Sequence, residues 1–215
     1  MLVFSALTLS LNVAVAVDNK VFDQADIARG KAKSATCVAC HGADGNSLAP
    51  IFPKIAGQNR SYLFKQLQEF KSGTRVESVM GGIVAALSDA DMADLAAYFA
   101  AQKVSKGVLS SGKSFELGRK IYRGGKKSTN VTACIACHGV HGKGLPSAGF
   151  PALAAQHSLY ISKQLKLFRQ YSLNQQTGEN KPSRNNDYEG MMINFTKNLT
   201  NKEIDAVSAY IAGLK

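Results

Sequence analysis

Apolar residues recur at helical spacing in several stretches of this chain. Leu63, Leu67 and Phe70 mark one face of a helix over 61–72, and Met92, Leu95 and Phe99 form the stripe of another over 89–101. Ser88, with Asp91 three residues on, supplies a hydroxyl and a carboxylate able to close a capping box at the start of the second. A shorter helix is expected over 26–33. The pattern returns late in the chain, where Thr200 and Glu203 stand in the capping places and Ile204, Val207 and Ile211 form the stripe. No stretch alternates as a half-buried strand does, so the expected fold is all-α.

These matched patterns belong to an internal repeat. Cys37, Cys40 and His41 recur 97 positions later as Cys134, Cys137 and His138. Phe52, Pro53 and Gln58 recur 98 later as Phe150, Pro151 and Gln156, and Tyr62, Gln66, Leu67 and Phe70 match Tyr160, Gln164, Leu165 and Phe168 in the same register. From Glu77 onward the offset is 112: Glu77, Met80, Leu87 and Tyr98 match Glu189, Met192, Leu199 and Tyr210. The change from 98 to 112 is a 14-residue insertion in the second copy, over 172–185. It is rich in Asn and Gln and contains Gly178 and Pro182, which reads as a surface loop. The expected organisation is a first domain over 17–103, a Gly-, Ser- and Lys-containing linker over 104–113, and a second domain over 114–215.

All four cysteines lie in the repeated motif Cys-x-x-Cys-His, once as Cys37, Cys40 and His41 and once as Cys134, Cys137 and His138. This is the attachment sequence of a c-type haem. The two sulfurs add across the vinyl groups as thioethers, and the following imidazole becomes an axial iron ligand. A four-cysteine zinc site brings its pairs within ~15–20 residues, whereas 93 residues separate Cys40 from Cys134. A thioredoxin-like pair needs a βαβ context that is missing here. Two haem c groups are therefore expected. A domain of about 90 residues buries little surface alone, and a tethered haem supplies the missing core.

The second axial ligand decides between electron carriage and chemistry on a substrate. A thioether raises the potential by favouring Fe(II). Met80 and Met192 occupy equivalent repeat positions and are the expected ligands opposite His41 and His138. Met92 lies on a helix stripe and reads as core. Met191 has Val79 as its counterpart, which cannot ligate. His141 and His157 correspond to Asp44 and Asn59 and read as surface or loop histidines. Carbonyls at Pro53 and Pro151 are placed to accept the other ring N–H of each ligand histidine, which orients it. With both axial positions filled, no site is left for a small-molecule substrate, so the chain reads as a carrier and not an enzyme.

Composition adds an asymmetry. The formal charge is +11, with 10 Lys+Arg against 9 Asp+Glu in residues 1–103 and 16 against 6 in residues 104–215. The aromatic and basic interleaving of a single-strand nucleic-acid binder is missing. The excess suits an acidic protein partner or a merely solvated basic face. Residues 1–17 carry no charge, and Ala14-Val15-Ala16 fits a secretory cleavage site. A cleaved signal peptide over 1–16 is expected, although it lacks the usual basic start. Export to the periplasm also matches where bacterial thioethers form.

With these residues in place, the sequence resembles the cytochrome c4 family of di-haem bacterial cytochromes. The resemblance runs through CVACHGADGNS, FPKIAGQNRSYLFKQL and LSDADMADLAAYFA in the first half. In the second it runs through ACIACHG, FPALAAQHSLYISKQLKLF and SAYIAGL. It implies two tandem class I cytochrome c domains and His/Met ligation by His41 with Met80 and His138 with Met192. It also implies periplasmic electron transfer from the cytochrome bc1 side of a respiratory chain toward a terminal oxidase. The haem subunit of a dehydrogenase, such as a sulfide-oxidising flavocytochrome c, has a similar two-domain layout and is the alternative.

Overall fold

The computed structural model describes residues 19–108 and 111–215. The expected leader over 1–16 lies outside the described residues. The first unit contains α1 (Asn19–Asp23), α2 (Ile27–Lys33), α3 (Ala35–His41), α4 (Arg60–Ser72), α5 (Ser78–Val84) and α6 (Asp89–Ala100). The second contains α7 (Lys113–Gly124), α8 (Ile135–His138), α9 (Ser158–Thr177), α10 (Met191–Thr196) and α11 (Asn201–Ala212), with three short 3-10 turns between them. Among the described residues there is no strand, only the isolated bridges Lys126 to Val131 and Leu145 to Phe150.

Each unit is built on a helix pair, α2 crossing α6 and α7 crossing α11. Glycine sits at each crossing. A Cβ on Gly30 would lie 2.1 Å from the Asp94 carbonyl oxygen, and one on Gly118 2.1 Å from that of Ala206. The obstacle is helical backbone, which cannot rotate away as a side chain can. Gly118→Ala is therefore expected to force the pair apart and cost about 2–3 kcal/mol of stability. A denaturant melt followed by helical circular dichroism checks this.

Both capping boxes close. Ser88 Oγ accepts from Asp91 N–H at 3.1 Å while the Asp91 carboxylate accepts from Ser88 N–H at 2.9 Å. Thr200 and Glu203 do the same at 3.3 and 2.8 Å. A lysine sits on each capping carboxylate, Lys33 on Asp91 and Lys126 on Glu203. Behind the caps, Met92, Leu95 and Phe99 are buried with Phe22, Leu63 and Phe64 in the first core. Ile204, Val207 and Ile211 are buried with Ile121, Tyr122, Ile161 and Tyr210 in the second.

The insertion is the expected exposed loop only in part, over 178–182. Its first residues extend α9 to Thr177, and Asn174, Arg184 and neighbouring Asn186 are buried. Asn174 Nδ2 donates to the Lys181 carbonyl at 2.7 Å and folds the loop back on the helix. Arg184 and Asn186 are buried because they find partners across the seam between the two units, in Tyr62, Gln66 and Glu69.

That seam has approximate two-fold symmetry. Gln156 reaches into the first unit, where Nε2 donates to the Lys54 carbonyl at 2.7 Å and Oε1 accepts from Lys54 N–H at 2.9 Å. Gln58 makes the same pair of bonds with Ala152, both at 2.8 Å. Lys54 and Ala152 are themselves repeat partners. Each glutamine thus satisfies one residue's backbone donor and acceptor in the other unit. The linker is fastened beside this seam: Asn46 holds Lys103 O and Ser105 N–H, and Lys54 Nζ donates to the carbonyls of Ser105 and Lys106.

Candidate haem sites

Each Cys-x-x-Cys-His motif folds as a short helical segment. His41 ends α3 and His138 ends α8, and the chain leaves through Gly42 at φ +81° and Gly139 at φ +76°. Only glycine adopts that region without strain. Cysteines three apart share one helical face, so both sulfurs of a motif point the same way. None of the four forms a disulfide. Cys37 lies against the first core and Cys134 against the second. Burial pushes the Cys37 thiol up and the Cys134 thiol up to about 11.

The histidines are held alike. His41 Nδ1 lies 2.8 Å from the Pro53 carbonyl oxygen, and His138 Nδ1 lies 3.0 Å from that of Pro151. A carbonyl only accepts, so the ring proton belongs on Nδ1 and the Nε2 lone pair is left for a metal. Both rings are 7% exposed. Burial lowers both pKa values, against the raising effect of the proline carbonyls, and so favours the neutral imidazole that ligation needs. Phe52 and Phe150 stand 6.4 Å from their rings, centroid to centroid.

Met80 and Met192 sit on short helices that periodicity did not reveal, α5 and α10. Glu77 caps α5 by accepting from Met80 N–H at 2.9 Å. In α10, Asp187 accepts from Ile193 N–H at 3.1 Å, and Thr196 Oγ1 donates to the Met192 carbonyl at 2.7 Å. Val84 and Thr196, equivalent in the repeat, are fully buried and anchor the two helices. Both methionines are partly buried.

His141 is exposed, with Nδ1 3.0 Å from Lys215 O. His157 does more than occupy a loop. Its Nε2 lies 2.9 Å from Ser47 O and 3.0 Å from Ser47 Oγ, across the seam. The largest omission from the sequence reading is Arg184. It is the structural twin of Arg75: Arg75 N–H donates to Glu69 O and Arg184 N–H to Leu167 O, residues 98 apart. The insertion is therefore split, 11 residues before Arg184 and three after it, which hides the correspondence. A gapped comparison anchored on the two arginines would find it.

Among the described residues no group of three or more His, Cys, Asp or Glu side chains converges to hold a bare metal ion. Paired thiols on one face and a neutral imidazole held through Nδ1 by a proline carbonyl fit covalently held haem, whose iron would supply one-electron redox chemistry.

Comparison with known proteins agrees. The Cytochrome c family profile matches residues 27–103 and again 117–215. Cytochrome c4 of Pseudomonas aeruginosa is 43% identical over 209 residues, covering 97% of this chain and 98% of that protein. The crystal structure of reduced recombinant cytochrome c4 from Pseudomonas stutzeri superposes with a TM-score of 0.81 at 42% identity, over 89% of this chain and 100% of that one. A protein of Stutzerimonas stutzeri named thiosulfate dehydrogenase electron acceptor is 33% identical over 98% of this chain and 92% of its own length. The chain belongs to the cytochrome c4 family: it is an electron carrier of two tandem cytochrome c domains, each binding one haem c, with Cys37 and Cys40 in one attachment motif and Cys134 and Cys137 in the other.

Proposed function

We propose that this chain is an exported, periplasmic shuttle whose irons are ligated by His41 with Met80 and by His138 with Met192. It takes electrons from the cytochrome bc1 side of a respiratory chain and delivers them to a terminal oxidase. The observation that carries the reading is the duplication of the whole site. Both units tie the histidine Nδ1 to a proline carbonyl and place a methionine on a short helix just before the capped C-terminal one. Two matched sites without an odd member suit relay of electrons better than a reaction at one iron. Among the described residues no helix is long and apolar enough to cross a membrane. Gentle isolation from the periplasm tests the shuttle. A chain that runs alone with two haems and is oxidised by the terminal oxidase supports it, and a chain found only in a stoichiometric complex with a dehydrogenase overturns it.

That second outcome is a reading with its own support. The relative named thiosulfate dehydrogenase electron acceptor matches nearly the whole chain, so a dehydrogenase is a second candidate donor. The basic half suits an acidic docking face on either partner. Lys120, Arg123, Lys127, Lys143 and Lys197 are all exposed. The association rate should fall steeply as salt is raised, because charges are screened over ~8 Å at physiological ionic strength. Stopped-flow mixing with the oxidase or dehydrogenase measures it, and a flat response would remove charge from the docking account.

A further inference from the structure

The seam holds two buried guanidiniums. Arg75 is 9% exposed and Arg184 7%. Arg75 donates to Gln66 Oε1 in its own unit at 2.7 Å and, in the other unit, to Tyr160 Oη and Gln164 Oε1, both at 3.0 Å. Arg184 mirrors this. It donates to Gln164 Oε1 at 2.8 Å, and across the seam to Tyr62 Oη at 3.1 Å and Gln66 Oε1 at 3.0 Å. Each lies over an aromatic ring of its own unit, Arg75 on Phe70 and Arg184 on Phe168, both at 4.5 Å. The two cations therefore share the same two glutamine oxygens.

Every one of these acceptors is neutral. Glu69 is the nearby carboxylate, and it is engaged by Lys65, Gln66 and Asn186. Burying two like charges on neutral acceptors is expensive unless anionic charge completes the site. Burial would raise the Tyr62 phenol, but Arg184 and Arg75 outweigh it and lower its pKa, a sign of the positive field there. Glu69 supplies one such charge, and the propionate carboxylates that a haem c carries would supply more. Each arginine also lies on the segment leading into a methionine helix, five residues before Met80 and eight before Met192.

We propose that Arg75 and Arg184 form one shared cationic site that sets the potentials of both haems together, each arginine acting on the haem of the other domain as well as its own. The geometry is what makes the action reciprocal, since each guanidinium is held by the opposite unit's tyrosine and glutamine. The sign follows from charge. Oxidation adds a positive charge to a haem, a fixed cation opposes that, and so the site raises the potential. This inference rests on the two bound haems and not on the identity of donor or acceptor.

The test is spectroelectrochemical titration of the di-haem protein and its Arg75→Gln, Arg184→Gln, Arg75→Lys and Arg184→Lys variants. Each Gln variant is expected to lower both potentials, shifting each reduced-to-oxidised equilibrium by about three- to tenfold, where tenfold is 59 mV for one electron. Each Lys variant keeps a charge but loses the planar fork, and should restore most of the shift. Potentials that move only for the haem in the substituted domain, or for neither, overturn the shared site. Should a Gln variant fail to fold, Arg75→Met and Arg184→Met, which also remove the charge, take its place: a fall in both potentials supports the proposal, and potentials held within about twofold refute it.

Discussion

Replacing Met192 with Ala is expected to open the second iron to carbon monoxide while leaving the first closed. The unsubstituted protein should bind none in its reduced state, and the variant one per chain. Alanine has no lone pair to offer, and nothing on α10 replaces the thioether, since the neighbouring Met191 occupies the position that Val79 holds in the first unit. The helix itself should survive. Asp187 caps it through the Ile193 N–H, and Thr196 holds the Met192 carbonyl, a backbone atom the substitution leaves in place. Loss of a soft ligand also removes the preference for Fe(II), so the second potential should fall. Met191→Ala is the control and should bind no carbon monoxide. Photometric titration of the reduced proteins reads both, and an unreactive Met192→Ala would take Met192 out of the coordination sphere.

The parts of this fold that were legible in sequence are those fixed locally. The capping boxes at Ser88 and Thr200 depend on residues three apart, and the stripes of α6 and α11 pack against their own unit's protein core, so period and cap agree with the structure. The haem motifs are legible for the same reason, being written in five consecutive residues. The helices α5 and α10 were missed because they are only a turn or two long and their chemistry rests on one methionine, which leaves no apolar period to count. Gly30 and Gly118 carry no pattern, and their role is visible only where two helices approach within contact of a missing side chain.

The seam was the least legible region, and for a physical cause. Its working residues are Gln58, Gln156, Gln66, Gln164, Arg75, Arg184 and His157, all polar, and polarity on its own predicts exposure. All but the half-buried His157 are buried, because each has a partner of complementary hydrogen-bonding capacity in the other unit. The glutamines at 58 and 156 were visible as repeat partners, but nothing in one copy shows that its bonds are made to the other. Arg184 was hidden further by the split insertion. A tandem repeat of this kind holds part of its structural information in the relation between copies, beyond the reach of local pattern.

Removing both second-motif thiols, Cys134→Ala with Cys137→Ala, should cost the protein its second haem and with it the folded second domain. The argument runs through the core. The helices of that unit bury Ile121, Tyr122, Ile204, Val207, Tyr210 and Ile211 in a single small cluster, and a domain of about 100 residues on such a cluster is marginal by itself. His138 and Phe150 are not members of that cluster; a haem tethered at Cys134 and Cys137 would give their loops a surface to fold against, and the variant takes that surface away. The damage should stop short of the first domain, whose own motif, core and capping box are complete. What the first domain loses is its neighbour: Lys54 and Gln58 give up their partners Gln156 and Ala152, and Arg75 gives up Tyr160 and Gln164. The haem count per chain should fall from two to one. Amide exchange should become fast over α7 to α11, while α2 and α6 stay protected and α4 shows intermediate loosening along the face that met the seam. A variant that keeps full protection across the second domain would show that this unit folds on its helices alone, and the haem would then be cargo for a finished fold and not part of its core.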